Sequence, residues 1–302
     1  AGEIRRMQKH FELNYLPLNI SLIALEQAEL PPFLGSTLRG AIGQALLQTD
    51  KEASTFLYKN REESDTDKKQ VIAKPYMIIP PESKWPQTII GREEKLNFEF
   101  LLFGNATQYA TSLILALENI QKIGLGAYRY PFCLYEIVNS YTQRIIWRKD
   151  IRYKTPRIST TAIPCFELEQ VTGVIVKICT PLRIRHGGQM VRNITFEVLI
   201  RNITNRIRML TERYGGWIDQ TEVERLQILA AQVRTVREKL RIEKLERYSN
   251  RAKRKMDFSG LMGELEYEGN LTPFVPWLYA AQRLNIGRNT TFGMGKIKVY
   301  FM

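Results

Sequence analysis

Two stretches of this 302-residue chain run through one order of elements: strand, helix, strand, strand, helix, strand. Each stretch closes on a helix, a glycine-rich loop and a strand, with Gly124–Phe132 and Gly287–Gly295 in matching places. The repeated order predicts an α+β protein of two tandem ferredoxin-like βαββαβ domains. The first is expected over 10–150 and the second over 165–302. Between them Lys154–Pro164, with two prolines and a Ser-Thr-Thr run, reads as a linker.

In the first half, Phe11–Leu25 alternates loosely and is rich in Leu, Ile and Tyr, as a strand is; Pro31-Pro32 ends it. A helix is expected over 37–47, because Leu38, Ile42, Ala45 and Leu46 share one face and Ser36 stands where an N-cap would. Gly40 and Gly43 lower its intrinsic propensity and permit close approach to a sheet or an RNA backbone. Asp50–Lys69 is polar and charge-dense and reads as a mobile surface insertion. Tyr76–Ile79 and Leu96–Phe103 are predicted strands. A helix from Gly104-Asn105 to about Gln121 would bury Leu113, Leu117 and Ile120, and Phe132–Val138 with Gln143–Arg148 reads as a hairpin.

In the second half, Val171–Cys179 is a Val/Ile-rich strand and His186-Gly187-Gly188 a turn. Asn193 is the expected cap of a helix with apolar positions 194, 198, 203, 207 and 210, and with Arg201, Arg206, Arg208 and Arg213 off that face. Gly215-Gly216 ends it, and Thr221–Val233 reads as an extra helix. Arg237–Tyr248 and Phe258–Tyr267 are expected strands. Thr272–Arg283 reads as a helix with Pro273 in its first turn, Asn285–Gly295 as a loop and Lys296–Phe301 as a closing strand.

Lys and Arg number 44 and Asp and Glu 31, a net charge of +13 that points to a polyanionic partner. No apolar run approaches the ~18 residues of a membrane helix, and the charged Gly2–Arg6 is not the core of a signal peptide. Cys133, Cys165 and Cys179 form neither a disulfide framework nor a zinc pattern, so a reducing cytoplasm is expected. His10 and His186 are the two histidines, too few for a multi-histidine metal site.

Two constellations could carry chemistry. The loop Gly287–Gly295 combines freely turning glycines with Arg288, Thr290 and Thr291, a set able to cradle a phosphate. It lacks the Walker A spacing and enters a strand, so it is not a dinucleotide fingerprint. An ordinary glycine turn fits it equally well. The segment 234–255 holds Arg234, Arg237, Lys239, Arg241, Lys244, Arg247, Arg251, Lys253, Arg254 and Lys255 against three glutamates, and so carries +7 of the total charge. Tyr248 and Phe258 at its end are placed for base stacking. His186, in the basic turn Arg183–Gly188, is a solvent-facing turn residue or a general base.

Several stations along the chain together resemble a known family. Leu30–Gly43, containing Leu38-Arg39-Gly40-Ala41, resembles a signature of the RAMP superfamily of CRISPR proteins. Lys74–Pro81, Gly124–Gly126, Arg247–Arg251, Ser259–Gly263 and Gly287–Gly295 continue the series. In order, they resemble the CRISPR-associated repeat-processing endoribonucleases, the sixth CRISPR-associated protein family, over about residues 11–300. The resemblance implies two RRM-like domains, a precursor CRISPR RNA substrate and cleavage without metal or other cofactor. The ribose 2′-OH would attack the adjacent phosphorus and leave a 2′,3′-cyclic phosphate and a 5′-OH. It also implies RNA contacts at Gly287, Thr290, Thr291, Phe292, Gly293 and Gly295 and along the basic segment 234–255, including Tyr248, with Arg129 on the first glycine loop as a further contact.

The sequence departs from its relatives where the chemistry would be. Asn285 stands where relatives often carry a histidine, and the helix over 37–47 lacks the histidine some relatives place there. Asparagine is no general base at neutral pH. Three explanations stay open: electrostatic catalysis by Arg and Lys, approach of His186 from another loop, or a binder whose histidine was replaced. The expected site is Asn285 and Arg288 facing Arg39. An endoribonuclease and a non-catalytic RAMP subunit that holds guide RNA in an effector complex therefore both fit. The partners expected are CRISPR repeat RNA and other CRISPR effector subunits, with no membrane, and the chain could be monomer or homodimer.

Overall fold

A computed structural model describes residues 9–59, 72–151, 156–249 and 254–302. Arg251 and Lys253 lie outside these, as does the charged centre of the 50–69 insertion; of Arg247, Tyr248 and Arg254 the backbone alone is described. The chain divides into two compact units, one spanning 14–161 and the other 162–302 together with the N-terminal residues up to Leu13.

The first unit runs β1 (Asn14–Ala24), α1 (Gly35–Thr49), β2 (Tyr76–Ile79), β3 (Lys95–Phe103), α2 (Ala110–Glu118), β4 (Phe132–Asn139) and β5 (Ile145–Arg148). Its antiparallel sheet has the order β2-β3-β1-β4-β5, the ferredoxin-like arrangement with β5 added at one edge. Leu18 faces Phe100, Ile20 faces Phe98 and Leu22 faces Leu96 across β1 and β3. Strand alternation puts these on one face, where they form a core with Leu38, Ile42 and Leu46 of α1 and Leu113 and Leu117 of α2.

The second unit runs β6 (Gly173–Leu182), β7 (Arg185–His186), β8 (Gln189–Met190), α3 (Phe196–Tyr214), α4 (Gln220–Ala230), β9 (Arg234–Glu243), β10 (Glu246–Ser249), β11 (Arg254–Asp257), β12 (Gly260–Glu268), α5 (Val275–Leu284) and β13 (Ile297–Phe301). The sheet order β9-β12-β6-β13 repeats that of the first unit strand for strand. β7 with β8 and β10 with β11 form separate two-stranded ribbons. Among the described residues no helix is long and apolar enough to cross a membrane.

Four local expectations need correction. α1 starts after Leu34 with no side-chain cap, so Ser36 is not its N-cap. α3 is capped by Thr195 and not by Asn193; the Thr195 hydroxyl accepts from Val198 N at 3.4 Å, the three-residue reach a cap requires. The start of the 50–69 insertion is helical: Asp50 caps the turn 51–54, and Leu57 is buried in the π-helical turn 55–59. Residues 11–12 pair with Trp217-Ile218, and Phe11 packs 4.6 Å from Trp277, which places them in the second unit, not the first.

Arg206 is a further surprise, since its charge placed it off the apolar face of α3. It is buried, and its Nε donates to the Leu284 carbonyl at 2.8 Å, the last carbonyl of α5. A cation at a helix C-terminus meets the negative end of the helix dipole and an orphan carbonyl together. Burial pushes its pKa down to about 10, so it stays charged at neutral pH. Arg206→Ala is expected to cost about 3 kcal/mol through the lost charged hydrogen bond and the cavity left behind. Arg201→Ala, on the exposed face of α3, is expected to cost less than about 0.5 kcal/mol. Denaturant unfolding of the two variants checks the contrast.

Candidate nucleic-acid interface

α5 ends at Leu284, and Asn285 turns the chain with φ +54°. Asn285 is fully buried, and its Nδ2 donates to the Met294 carbonyl at 3.0 Å across the loop it opens. Its Oδ1 has no hydrogen-bond partner among the described residues. The loop closes where Ile286 N donates to the Gly295 carbonyl at 3.0 Å.

The loop is tied to the end of β6. Arg288 N donates to the Arg183 carbonyl at 2.8 Å, and Gly295 N to the Pro181 carbonyl at 3.1 Å. The Thr180 hydroxyl donates to the Gly293 carbonyl at 2.8 Å and accepts from Lys296 N at 2.9 Å. β6 shifts register between Ile178 and Leu182, which frees these groups from the sheet ladder. The approach leaves no room for side chains at two positions. A Cβ on Gly287 would lie 2.5 Å from the Arg183 carbonyl oxygen, and one on Gly295 would lie 1.8 Å from that of Ile286. Both glycines also have positive φ.

This stitching brings Arg288 next to Arg183 and Arg185. With Lys255, Met256, Asp257, Phe258 and Asn289 they line a cleft of about 430 Å³. Arg183 is buried and donates Nη1 to the Ser259 carbonyl, with Asp257 Oδ2 at 3.9 Å. Its Nε has no hydrogen-bond partner among the described residues. Burial, then the repulsion of neighbouring guanidiniums, lowers the pKa of Arg183 and of Arg288. Arginine starts so high that both stay cationic at neutral pH. Asp257 is held below the usual carboxylate range, first by the Ser259 hydroxyl and amide and then by Arg183 and Arg185. Lys255 is paired with Glu246 at 3.5 Å, and the three guanidiniums face the single carboxylate of Asp257, so the cleft is built for an anion.

The sequence-predicted residues separate into three groups. Arg288 and Lys255 line the cleft. Asn285, Thr290, Thr291, Phe292, Gly293 and Gly295 are buried in the loop's interior, with Phe292 packed edge-on to Phe258 at 5.2 Å. The others lie elsewhere. Arg237 pairs with Glu266 at 2.8 Å and Arg241 with Glu243 at 3.6 Å, while Lys244 is exposed beyond β9. The basic segment is also offset by its neighbour: Glu268, Glu266 and Glu264 of β12 stand opposite Arg234, Arg237 and Lys239. In the first unit, Arg129 is exposed on its glycine turn. Arg39 donates Nε to the Tyr76 hydroxyl at 2.7 Å and lies over the Tyr58 ring at 5.1 Å. His186 is exposed in the β7–β8 hairpin, next to Arg185 of the cleft.

Arg183 and Asp257 were not expected at the site, and Phe258, expected to stack a base, is instead buried against Phe292. The Arg183-Ile184-Arg185 alternation directly after a strand was the signal for the arginines. Asp257 carried none, because only the fold brings β11 to the loop.

Comparison with known proteins supplies a context for this geometry. Residues 176–297 match the family described as CRISPR-associated endoribonuclease Cas6, and residues 13–158 match a family described as an N-terminal domain. No curated protein matches. Thermus thermophilus Cas6 (TTHB231) superposes with TM-score 0.56 at 12% identity, covering 97% of this chain and 100% of that one. A Cas6 (TTHA0078) product complex gives TM-score 0.54 at 16% identity, covering 94% and 100%. A partial Cas6-RT-Cas1–Cas2 complex gives 0.62 at 13% identity; the match covers 97% of this chain and 47% of the larger one. At these identities the structural likeness establishes the fold, that of two tandem ferredoxin-like units.

The glycine contacts lead to a graded expectation. Gly287→Ala and Gly295→Ala should each cost about 3 kcal/mol or more, since strain at positive φ adds to a clash with backbone. Gly188→Ala, with open space around its Cβ, should cost about 1 kcal/mol, the left-handed penalty alone. Thermal unfolding of the three variants tests the order.

Proposed function

We propose that the chain is a Cas6/RAMP-type protein of CRISPR RNA processing, a reading supported by the family match over 176–297, and that it cuts precursor CRISPR RNA within the repeat, without metal. The observation that supports this most is the cleft of Arg183, Arg185, Arg288 and Lys255 on a junction held by backbone hydrogen bonds. In the proposed reaction the ribose 2′-OH loses its proton and attacks the adjacent phosphorus. The bond from phosphorus to the 5′-oxygen breaks, and that oxygen takes up a proton. The products are a 2′,3′-cyclic phosphate and a 5′-OH. Negative charge grows on the non-bridging oxygens in the transition state, and fixed guanidiniums stabilise it there more than in the ground state.

In this reading Arg288 and Arg185 contact the scissile phosphate. Arg183, buried and bonded to the Ser259 carbonyl, positions both. Asn285 holds the loop closed from inside and does not touch RNA. His186, beside Arg185, is assigned the proton transfer. Structures of Cas6 with product and of a Cas6-RT-Cas1–Cas2 complex support RNA and other CRISPR proteins as partners.

One observation favours a second reading, a subunit that holds guide RNA without cutting it: no histidine lines the cleft. Incubation with the repeat RNA of its own array in EDTA separates the two. The nuclease reading expects one discrete cut with a cyclic phosphate end. Arg288→Ala should then lower the cleavage rate by about 10²-fold. His186→Ala should lower the rate and leave binding near parental. Tight, salt-sensitive binding with no cut would establish the guide-holding subunit instead.

A further inference from the structure

The first unit has its own glycine turn at the station that the loop 285–295 occupies in the second. Its conformation is tightly held. Leu125 N donates to the Tyr130 carbonyl at 2.8 Å and Tyr130 N returns the bond to Leu125 at 2.9 Å. Arg129 N donates to the Gly126 carbonyl at 3.1 Å. A Cβ on Gly124 would lie 2.3 Å from the Arg129 carbonyl oxygen, so the base of the turn is pressed shut. Tyr130 anchors it against the hydrophobic core.

What this turn displays is unusual for a rigid element. Tyr128 is 82% exposed, and its only ring neighbour among the described residues is the Tyr130 edge at 6.0 Å. Arg129 beside it is exposed and has φ +52°. That region of backbone suits glycine or asparagine and is unfavourable for arginine. Strain of this kind at an exposed charged residue points to a role for the side chain. A large ring fixed in solvent next to a cation, on a chain of net charge +13, has the chemistry of a single-stranded nucleic-acid contact.

We propose that the 124–130 turn binds an unpaired stretch of RNA, with a base stacked on Tyr128 and the adjoining phosphate on Arg129. The assignment rests on the RNA-processing function above, but not on the cleft or on cleavage. Because the backbone holds the turn in place before RNA arrives, little ordering cost falls on binding. Stacking accepts any base, so this contact adds affinity without sequence preference.

The test uses the full chain and the repeat RNA of its own array, with binding measured across a salt series. Tyr128→Ala should weaken binding about tenfold, while Tyr128→Phe, which keeps the ring, should stay within about twofold of the parent. Arg129→Asn should weaken binding and reduce the salt slope by about one. Its melting temperature should be unchanged or higher, because asparagine suits the positive φ. RNA carrying 5-iodouridine in its unpaired nucleotides should crosslink to Tyr128. If Tyr128→Ala binds like the parent, or if Tyr128→Phe loses as much as Tyr128→Ala, the stacking contact is overturned. A parent chain that fails to bind repeat RNA overturns the proposed function, and the contact falls with it. Normal parental binding with an unchanged Tyr128→Ala overturns the contact alone and leaves the cleft reading standing.

Discussion

The second unit depends on how closely the loop 285–295 can approach the end of β6. The Arg183 carbonyl accepts from Arg288 N, and the Thr180 hydroxyl bridges Gly293 and Lys296. A side chain at 287 would run into the Arg183 carbonyl, and one at 295 into the carbonyl of Ile286, whose N–H closes the loop. The glycines are therefore conditions for the site's geometry. The loop's start is fixed as well. Arg206 of α3 holds the Leu284 carbonyl, and Asn285, the next residue, spans to the Met294 carbonyl. A buried cation on one helix thus sets where another helix stops, and that stop sets where Arg288 emerges.

Holding three arginines together is unfavourable, and it adds to burial, the larger cause, in lowering the pKa of Arg183 and Arg288. The structure offsets the repulsion locally. Asp257 stands 3.9 Å from Arg183, the Ser259 carbonyl takes a guanidinium hydrogen bond, and Ser259 in turn keeps Asp257 ionised. One carboxylate among three guanidiniums leaves a surplus that a phosphate can complete. On β9 the outcome is the reverse, since the glutamates of β12 lie opposite its cations in register. A count of charge along the sequence gives the hairpin most of the anion affinity. Pairing across the sheet moves that weight to the cleft.

The sheets were legible because their signal is redundant. β1, β3, β6 and β12 each span nine or more residues, and alternation over that length leaves little ambiguity. Three-residue ribbons such as Ala28–Leu30 with Thr88–Ile90 carry no periodicity to read. Side-chain roles within the site were less legible, for a physical reason. Residue type suggests that Asn285, Thr290 and Thr291 donate to a ligand, but the same donors also satisfy a tight loop from within, and here they face inward. Phe292 likewise resembles a stacking residue and is instead a packing partner of Phe258. Arg206 was misread because charge is normally an outward signal, and only the α5 terminus, distant in sequence, gives it a reason to be buried.

The two glycine turns occupy the same station of a repeated topology, and they have divided their chemistry differently. In the second unit the loop's aromatic residue is turned inward onto Phe258, and the arginine beside the glycine faces the cleft in the company of other arginines. A crowded set of guanidiniums favours concentrated negative charge, such as a phosphate at the point of reaction. In the first unit the aromatic residue stands in solvent beside one strained arginine. A lone ring and a lone cation suit one nucleotide of extended chain, with affinity spread over a base and its phosphate. The duplicated fold thus supplies two rigid mounts of one design. In the proposed roles, which way the aromatic residue points separates a mount that grips charge from one that stacks bases.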